Sequence, residues 1–209
     1  PDVNSPAYNR RAAGPSTASV VVGGNSDVGG AANLDKTEEY DGSSWTQGGT
    51  LSRRSENLGV FGIQTNCVAC GGSDYPYPDY NNITEEYNGT AWTAYPSVTI
   101  SASIGGMGAA GTETAGVIWG GNSNTVPTVQ TTQEYNGSAW SNGNNTVLTV
   151  SGGAYGSVGS SQTSAFSVSG QAPGNGGQHY DGTSWLTAPN LGTSRTSCAG
   201  AGSVPTGLV

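Results

Sequence analysis

The sequence predicts an all-β protein built from one unit of about 47 residues that is present four times and begun a fifth. Three observations predict it. A seven-residue landmark recurs at even spacing, apolar runs ending in paired glycines precede the landmarks, and no stretch carries the 3.6-residue apolar period of a helix.

The landmark reads Glu39-Tyr40-Asp41-Gly42-Ser43-Ser44-Trp45 in the first unit. It returns as Glu86-Tyr87-Asn88-Gly89-Thr90-Ala91-Trp92, as Glu134-Tyr135-Asn136-Gly137-Ser138-Ala139-Trp140 and as His179-Tyr180-Asp181-Gly182-Thr183-Ser184-Trp185. The steps from Tyr40 to Tyr87, Tyr135 and Tyr180 are 47, 48 and 45 residues. Asp-Gly and Asn-Gly between strand-like segments are strong hairpin signals, because a type I′ turn requires positive φ at both central residues. The expectation is that the segment ending in Tyr forms one strand and the segment opening with Trp returns antiparallel to it.

Upstream, residues 18–22 run into Gly23-Gly24, residues 66–70 into Gly71-Gly72 and residues 115–119 into Gly120-Gly121. The fourth copy, residues 164–170, is degenerate and is followed by Gln171. Short β-branched or aromatic runs bounded by glycine read as strands. The paired glycines permit a tight bend or a close approach of backbone. A further strand precedes each run, as in residues 195–202. That makes four strands per unit, which is one blade of a β-propeller. The units span 8–48, 49–95, 96–143 and 144–188, with a partial fifth over 189–209, all in a single domain. Residues 206–209 align with residues 115–118, so the sequence stops where the next paired glycines are due. The expectation is that further sequence, or another chain, completes that blade.

An apolar run, two glycines, then Tyr and Trp resembles the Kelch repeat over nearly the whole chain. Tyr and Trp are five apart here, closer than is usual for Kelch. The strings TEEYDGSSW and TEEYNGTAW, with Gly- and Thr-rich filler, more narrowly resemble Kelch-like repeats of structural proteins of marine bacteriophages, particularly those infecting cyanobacteria. The resemblance implies a non-enzymatic structural and binding module of a virion, as a capsid decoration, fibre or tail component. Its implied partners are other virion or assembly proteins, copies of itself and a surface glycan. The alternative is a secreted, lectin-like bacterial propeller that binds carbohydrate. A third reading is an enzyme of sialidase or oxidase type.

Composition narrows the classes. The net charge is −8, and only six of 209 residues are Lys or Arg. Nucleic-acid binding needs a basic footprint to displace counterions, and anionic membranes attract basic patches. Neither partner is expected, and no apolar run reaches the length of a membrane span. Charged residues make up 10%, but five Trp and ten Tyr at regular spacing argue against disorder.

No catalytic residue, cofactor or metal is expected. Cys67 and Cys70 form a Cys-x-x-Cys without a second pair or a nearby His, and three residues along a strand point to opposite faces. They read as buried thiols. His179 replaces the acid of the other landmarks and has no nucleophile or orienting acid beside it. Glu38-Glu39 and Glu85-Glu86 face opposite ways as strand neighbours, so they read as a surface feature at a strand end rather than as a glycosidase pair. Arg10-Arg11, Arg53-Arg54 and Arg195 fall at similar points of three units. Their expected role is structural, pairing with carboxylates or carbonyls between blades, and the rival is a sialidase-like carboxylate clamp. Tyr75, Tyr77 and Tyr80 with Pro76 and Pro78 form the most aromatic loop. It either binds a partner or glycan through rigid rings or packs those rings on its own blade.

Overall fold

The computed structural model describes residues 3–26, 32–74, 79–95, 104–125, 129–149, 157–168 and 174–194, together with 200 and 202. Every regular element among them is a strand. The first repeat holds β1 (Arg11–Ala13), β2 (Ser19–Val22), β3 (Asn25–Ser26), β4 (Ala32–Asn33), β5 (Thr37–Tyr40) and β6 (Trp45–Gln47). The second holds β7 (Gly59–Ile63), β8 (Asn66–Cys70), β9 (Ser73–Asp74), β10 (Asp79–Tyr80), β11 (Thr84–Tyr87) and β12 (Trp92–Tyr95). The third holds β13 (Ile104–Gly105), β14 (Gly108–Thr112), β15 (Ala115–Trp119), β16 (Asn122–Ser123), β17 (Thr132–Tyr135) and β18 (Trp140–Gly143). The fourth holds β19 (Ser157–Ser161), β20 (Ser164–Val168), β21 (Gly177–Tyr180) and β22 (Trp185–Ala188).

Four antiparallel four-stranded sheets result, ordered β1-β2-β5-β6, β7-β8-β11-β12, β14-β15-β17-β18 and β19-β20-β21-β22. Each is a propeller blade. The first strand of each blade lies beside its counterpart in the next, β1 by β7, β7 by β14 and β14 by β19, so these four run innermost. Three two-stranded ribbons, β3-β4, β9-β10 and β13-β16, follow or flank the paired glycines of the first three repeats. The partial fifth repeat falls mostly outside the described residues.

Stacking blades face to face buries both sides of each middle strand, which is why the second strand reads as an unbroken apolar run. In β8, Cys67 and Ala69 pack toward blade 1 with Val20, Val22, Val60 and Tyr87. Val68 and Cys70 of the same strand pack toward blade 3 with Phe61, Ile118, Tyr135 and Trp140. Blade 3 meets blade 4 through Val117, Trp119, Ala165, Tyr180 and Trp185. We call the side toward the next blade the forward face and the other side the rear face.

The paired glycines bend as expected. Gly71 and Gly72 have φ of 62° and 93°, and a Cβ on Gly71 would stand 2.6 Å from the Ile104 carbonyl oxygen. Position and close approach both demand glycine.

The landmark hairpin forms, but its turn is not type I′. Tyr87 pairs directly with Trp92, leaving a four-residue loop, and in that loop only Gly89 has positive φ, at 85°. Asn88 keeps negative φ and uses its side chain instead. Its Oδ1 accepts the Thr90 and Ala91 amides at 3.0 and 2.9 Å. Asp41 does the same for Ser43 and Ser44 at 2.8 and 2.7 Å, and Asn136 and Asp181 repeat the pattern. The physical reason is that a side-chain acceptor satisfies two loop N–H groups while Tyr and Trp sit directly opposite one another.

Gly89→Val is expected to destabilise by about 1–3 kcal/mol, since a β-branched residue is strained at positive φ. Asn88→Asp is expected to be near neutral, because blades 1 and 4 carry Asp in the same bonds. Thermal or chemical unfolding of both variants checks the pair, and equal effects would refute the assignment.

Candidate functional site: blade faces and the axial cavity

The four residues of β5, β11, β17 and β21 each have a separate task. The fourth, a tyrosine, stacks on the Trp across its hairpin, with ring centroids at 5.0 Å for Tyr40–Trp45, 4.9 Å for Tyr87–Trp92 and Tyr135–Trp140, and 5.2 Å for Tyr180–Trp185. In blades 2, 3 and 4 both rings then donate backwards to the preceding blade. The Tyr135 hydroxyl donates to Glu86 Oε1 at 2.7 Å, Tyr180 to Glu134 Oε1 at 2.7 Å, and Tyr87 to Glu39 Oε1. The indole N–H of Trp92 donates to Thr37 Oγ1 at 2.8 Å, Trp140 to Thr84 at 3.1 Å and Trp185 to Thr132 at 2.8 Å. The first and third residues of the strand, Thr and Glu, are thus the acceptors of one blade for the two donors of the next.

The second residue closes its own blade. Glu85 accepts the Ser52 amide at 3.0 Å, and Gln178 Oε1 accepts the Val147 and Leu148 amides, each at 3.1 Å. Glu38 accepts the Asn4 and Ser5 amides at 2.6 and 3.0 Å and pairs with Arg10 Nη1 at 2.8 Å. Glu38 and Glu85 are 1% and 4% exposed, which corrects the expectation of a surface feature. Burial is affordable for them because each carboxylate meets backbone N–H donors that would otherwise be orphaned. Burial by itself would raise the Glu38 carboxyl, but the hydrogen bonds from Arg10, Asn4 and Ser5 and the Arg10 charge outweigh it and hold the carboxyl below its ordinary range.

Sequence reasoning identified Gly23, Gly24, Gly42, Gly71, Gly72, Gly89, Gly120, Gly121, Gly137 and Gly182 as structural, and all ten have positive φ. It missed Thr37, Thr84 and Thr132. Their signal was present, since Thr stands three before Tyr in the first three repeats.

Among the other candidates, Tyr75 and Tyr77 lie outside the described residues. Tyr80 ends the β9-β10 ribbon, and its ring covers Gly105, where a Cβ would stand 2.6 Å from ring carbon. That contact is with the third repeat rather than with the blade that carries Tyr80. Arg10 bonds Glu38 of its own blade and the Ser5 carbonyl rather than a neighbouring blade, whereas Arg11 Nε reaches from blade 1 to the Leu58 carbonyl of blade 2 at 3.1 Å. Arg53 and Arg54 are exposed, and Arg195 lies outside the described residues. Cys67 and Cys70 are fully buried on opposite faces of β8, and burial pushes both thiols well above their ordinary range, so neither is a ready thiolate. His179 is half-buried on the forward face of blade 4, opposite Phe166 and Leu186.

The innermost strands line an open axial cavity of about 640 Å³. Its wall is largely glycine, alanine and backbone, including Ala12, Ala13, Val60, Ala109, Ala110 and Gly159. Asn66, Thr112, Glu113, Thr114 and Ser160 supply its polar side chains, and Gly200 and Gly202 reach it too. No protein-family model matches the chain, and no curated protein matches it.

The repeat offers a substitution series. Glu85→Gln is expected to be near neutral, since Gln178 makes the equivalent bonds, whereas Glu85→Ala strands a buried amide and is expected to cost about 1–3 kcal/mol. Unfolding of the two variants checks this.

Burial, then the hydrogen bond to Glu39, pushes the Tyr87 phenol up to about 12, and Tyr135 and Tyr180 are raised in the same way. A phenol whose folded pKa is raised holds its proton more tightly folded than unfolded. The stability it contributes is full below about 10, the ordinary tyrosine value, and is lost as pH rises through the folded value. Stability is therefore expected to fall steeply between about pH 10 and pH 12, and Tyr87→Phe should flatten the fall, as followed by unfolding against pH.

Proposed function

We infer that the chain is a Kelch-like propeller serving as a non-catalytic structural and binding component of a bacteriophage particle, in a capsid decoration, fibre or tail. The observation that carries the reading is where the repeat uses its reactive side chains. Glu39, Glu86 and Glu134 join neighbouring blades and Glu38 and Glu85 close their own, and their partners are Tyr hydroxyls, Arg10, the Gln64 amide and backbone amides. A sialidase- or oxidase-type propeller requires Arg, Glu and Tyr converging at the axis; the described lining of the axial cavity is mainly Gly and Ala, with Glu113 as its carboxylate.

The likeness of the TEEY landmarks to repeats of phage structural proteins supports the location. A glycine-rich, acidic shell with interlocked blades suits a protein that is displayed on a particle and meets neighbours or a host surface through its loops. Partners are other particle proteins, with a surface glycan as a further ligand.

Mass spectrometry of purified virions is the test. The protein is expected at many copies per particle and resistant to salt washing. Recovery only as a soluble secreted monomer that binds a defined glycan would overturn the virion reading in favour of a lectin.

A further inference from the structure

An asparagine followed by glycine can react with its own backbone, because the glycine nitrogen that attacks the side-chain amide has no side chain beside it to obstruct the approach. The chain holds four such dipeptides, at Asn88, Asn136, Asn142 and Asn175. The fold places them in different chemical surroundings.

Asn88 and Asn136 lie exposed in the landmark loops of blades 2 and 3. Asn88 Oδ1 accepts the Thr90 and Ala91 amides at 3.0 and 2.9 Å. Asn136 Oδ1 accepts the Ser138 and Ala139 amides at 3.0 and 2.9 Å, and the Ser138 hydroxyl at 3.0 Å as well. Donors at these distances polarise the Cγ carbonyl and hold the charge that its oxygen takes on when a nucleophile adds, as an oxyanion hole does. The nucleophiles are at hand, since the Gly89 and Gly137 amides donate no hydrogen bond among the described residues.

The other two dipeptides are held differently. Asn142 lies within β18, and its Oδ1 accepts the Gln133 side-chain amide at 3.0 Å. Gly143 stands in the ladder opposite Thr132, and at the same place in blade 1 the Gly48 amide donates to the Thr37 carbonyl at 3.0 Å. Asn175 is half-buried, and its side-chain nitrogen, the group that would have to leave, donates to the Leu191 carbonyl at 3.5 Å. The Leu191 amide returns to the Asn175 backbone carbonyl at 2.7 Å.

Blades 1 and 4 show what the landmark loop looks like with a carboxylate in place of the amide. Asp41 Oδ1 accepts the Ser43 and Ser44 amides at 2.8 and 2.7 Å, and Asp181 Oδ1 accepts the Thr183 and Ser184 amides at 2.8 and 2.7 Å. The Ser43 hydroxyl, then the Ser44 and Ser43 amides, hold the Asp41 carboxyl well below its ordinary range. The Ser184 and Thr183 amides lower Asp181 in the same way. An ionised carboxylate resists attack by the next amide, so the loop that favours reaction of the amide also preserves its product.

We propose that Asn88 and Asn136 are sites of spontaneous deamidation, at which the folded landmark loop converts asparagine to aspartate. In blade 2 the Gly89 nitrogen attacks Asn88 Cγ and gives up its proton to solvent. The charge that develops on Oδ1 is received by the Thr90 and Ala91 amides. The side-chain nitrogen takes up a proton and leaves as ammonia, and a succinimide ring remains. Water then adds at Cγ, still polarised by the same two amides, and the Cγ–N bond breaks. The Gly89 peptide bond is left intact beside a side-chain carboxylate. A water is consumed, an ammonia is released and the exposed loop gains one negative charge. Addition of water at the main-chain carbonyl would instead route the backbone through the side chain as isoaspartate. That longer backbone conflicts with the direct pairing of Tyr87 with Trp92, and it takes the acceptor away from the loop amides.

The test incubates the full folded chain at mildly alkaline pH and follows all four asparagines by peptide mapping, with mass-spectrometric fragmentation that separates aspartate from isoaspartate. Conversion at Asn88 and Asn136 is expected to be at least about tenfold faster than at Asn142 and Asn175, a fraction of what one preorganised oxyanion donor contributes in an enzyme. The product in the folded chain should be mainly aspartate. In guanidinium chloride, with the loops undone, the four rates should converge and isoaspartate should predominate. Three results would overturn the proposal: Asn88 and Asn136 reacting no faster than Asn142 in the folded chain, the same ranking of sites in denaturant, or isoaspartate as the main product of the folded loops.

Discussion

The structure depends on a pair of hydrogen bonds that run one way between blades, from Tyr and Trp of one blade to Glu and Thr of the blade before it. Face-to-face stacking of sheets supplies apolar burial but little register, because flat apolar surfaces slide at small cost. Two donors held rigidly by a stacked ring pair, meeting two acceptors fixed two residues apart on a strand, set both the distance and the rotation between blades. Each bond is also an obligation. The threonine hydroxyls and most of the tyrosine hydroxyls are buried, and an unpaired polar group there costs more than a formed bond gains. Misplaced blades are therefore penalised twice, by lost contact and by stranded polar groups.

This explains why a chain with so few charges places some of its carboxylates inside. Glu38 and Glu85 reach backbone amides of the loop that enters their own blade, and Gln178 does the same without charge. The third position differs. Glu39, Glu86 and Glu134 each receive a phenol from another blade, and that phenol is raised by burial first and by the carboxylate second. The two neighbouring acids of the landmark thus serve different interfaces, one within the blade and one between blades, and the alternation of strand faces keeps them apart.

Much of the fold was legible in the sequence. Tyr40, Tyr87, Tyr135 and Tyr180 at even steps gave the number of units, and the paired glycines marked where each second strand ends, since only glycine accepts those φ values beside a neighbouring carbonyl. The alternation rule also placed Cys67 and Cys70 on opposite faces of one strand. The turn was misread because Asn-Gly is a backbone signal for type I′, and the deciding contribution came from the Asn side chain and from the Tyr–Trp pairing five residues apart. The acids were misread because a carboxylate is ordinarily a surface group, and its burial here is licensed by amides distant in sequence, such as Ser52 for Glu85. The threonines were missed because their role as acceptors is defined only across blades, 53 to 56 residues away.

Direction is the last consequence of this chemistry. Donors always lie on the rear face and acceptors on the forward face, so the interface is heterologous, and heterologous contacts either close into rings or propagate without limit. The acceptor side is not uniform along the chain. Blades 1 to 3 carry the Thr and Glu acceptors, while in blade 4 Gly177, His179 and Leu186 replace the acceptors and their polar neighbour. A tyrosine hydroxyl and an indole N–H brought against that apolar surface would be desolvated with the threonine acceptor absent, at a cost of about 1–3 kcal/mol for each unpaired group. Divergence on the acceptor side of blade 4 thus restricts which rear face can lie against it, as mismatched polar groups do wherever specificity is built by penalising the wrong partner.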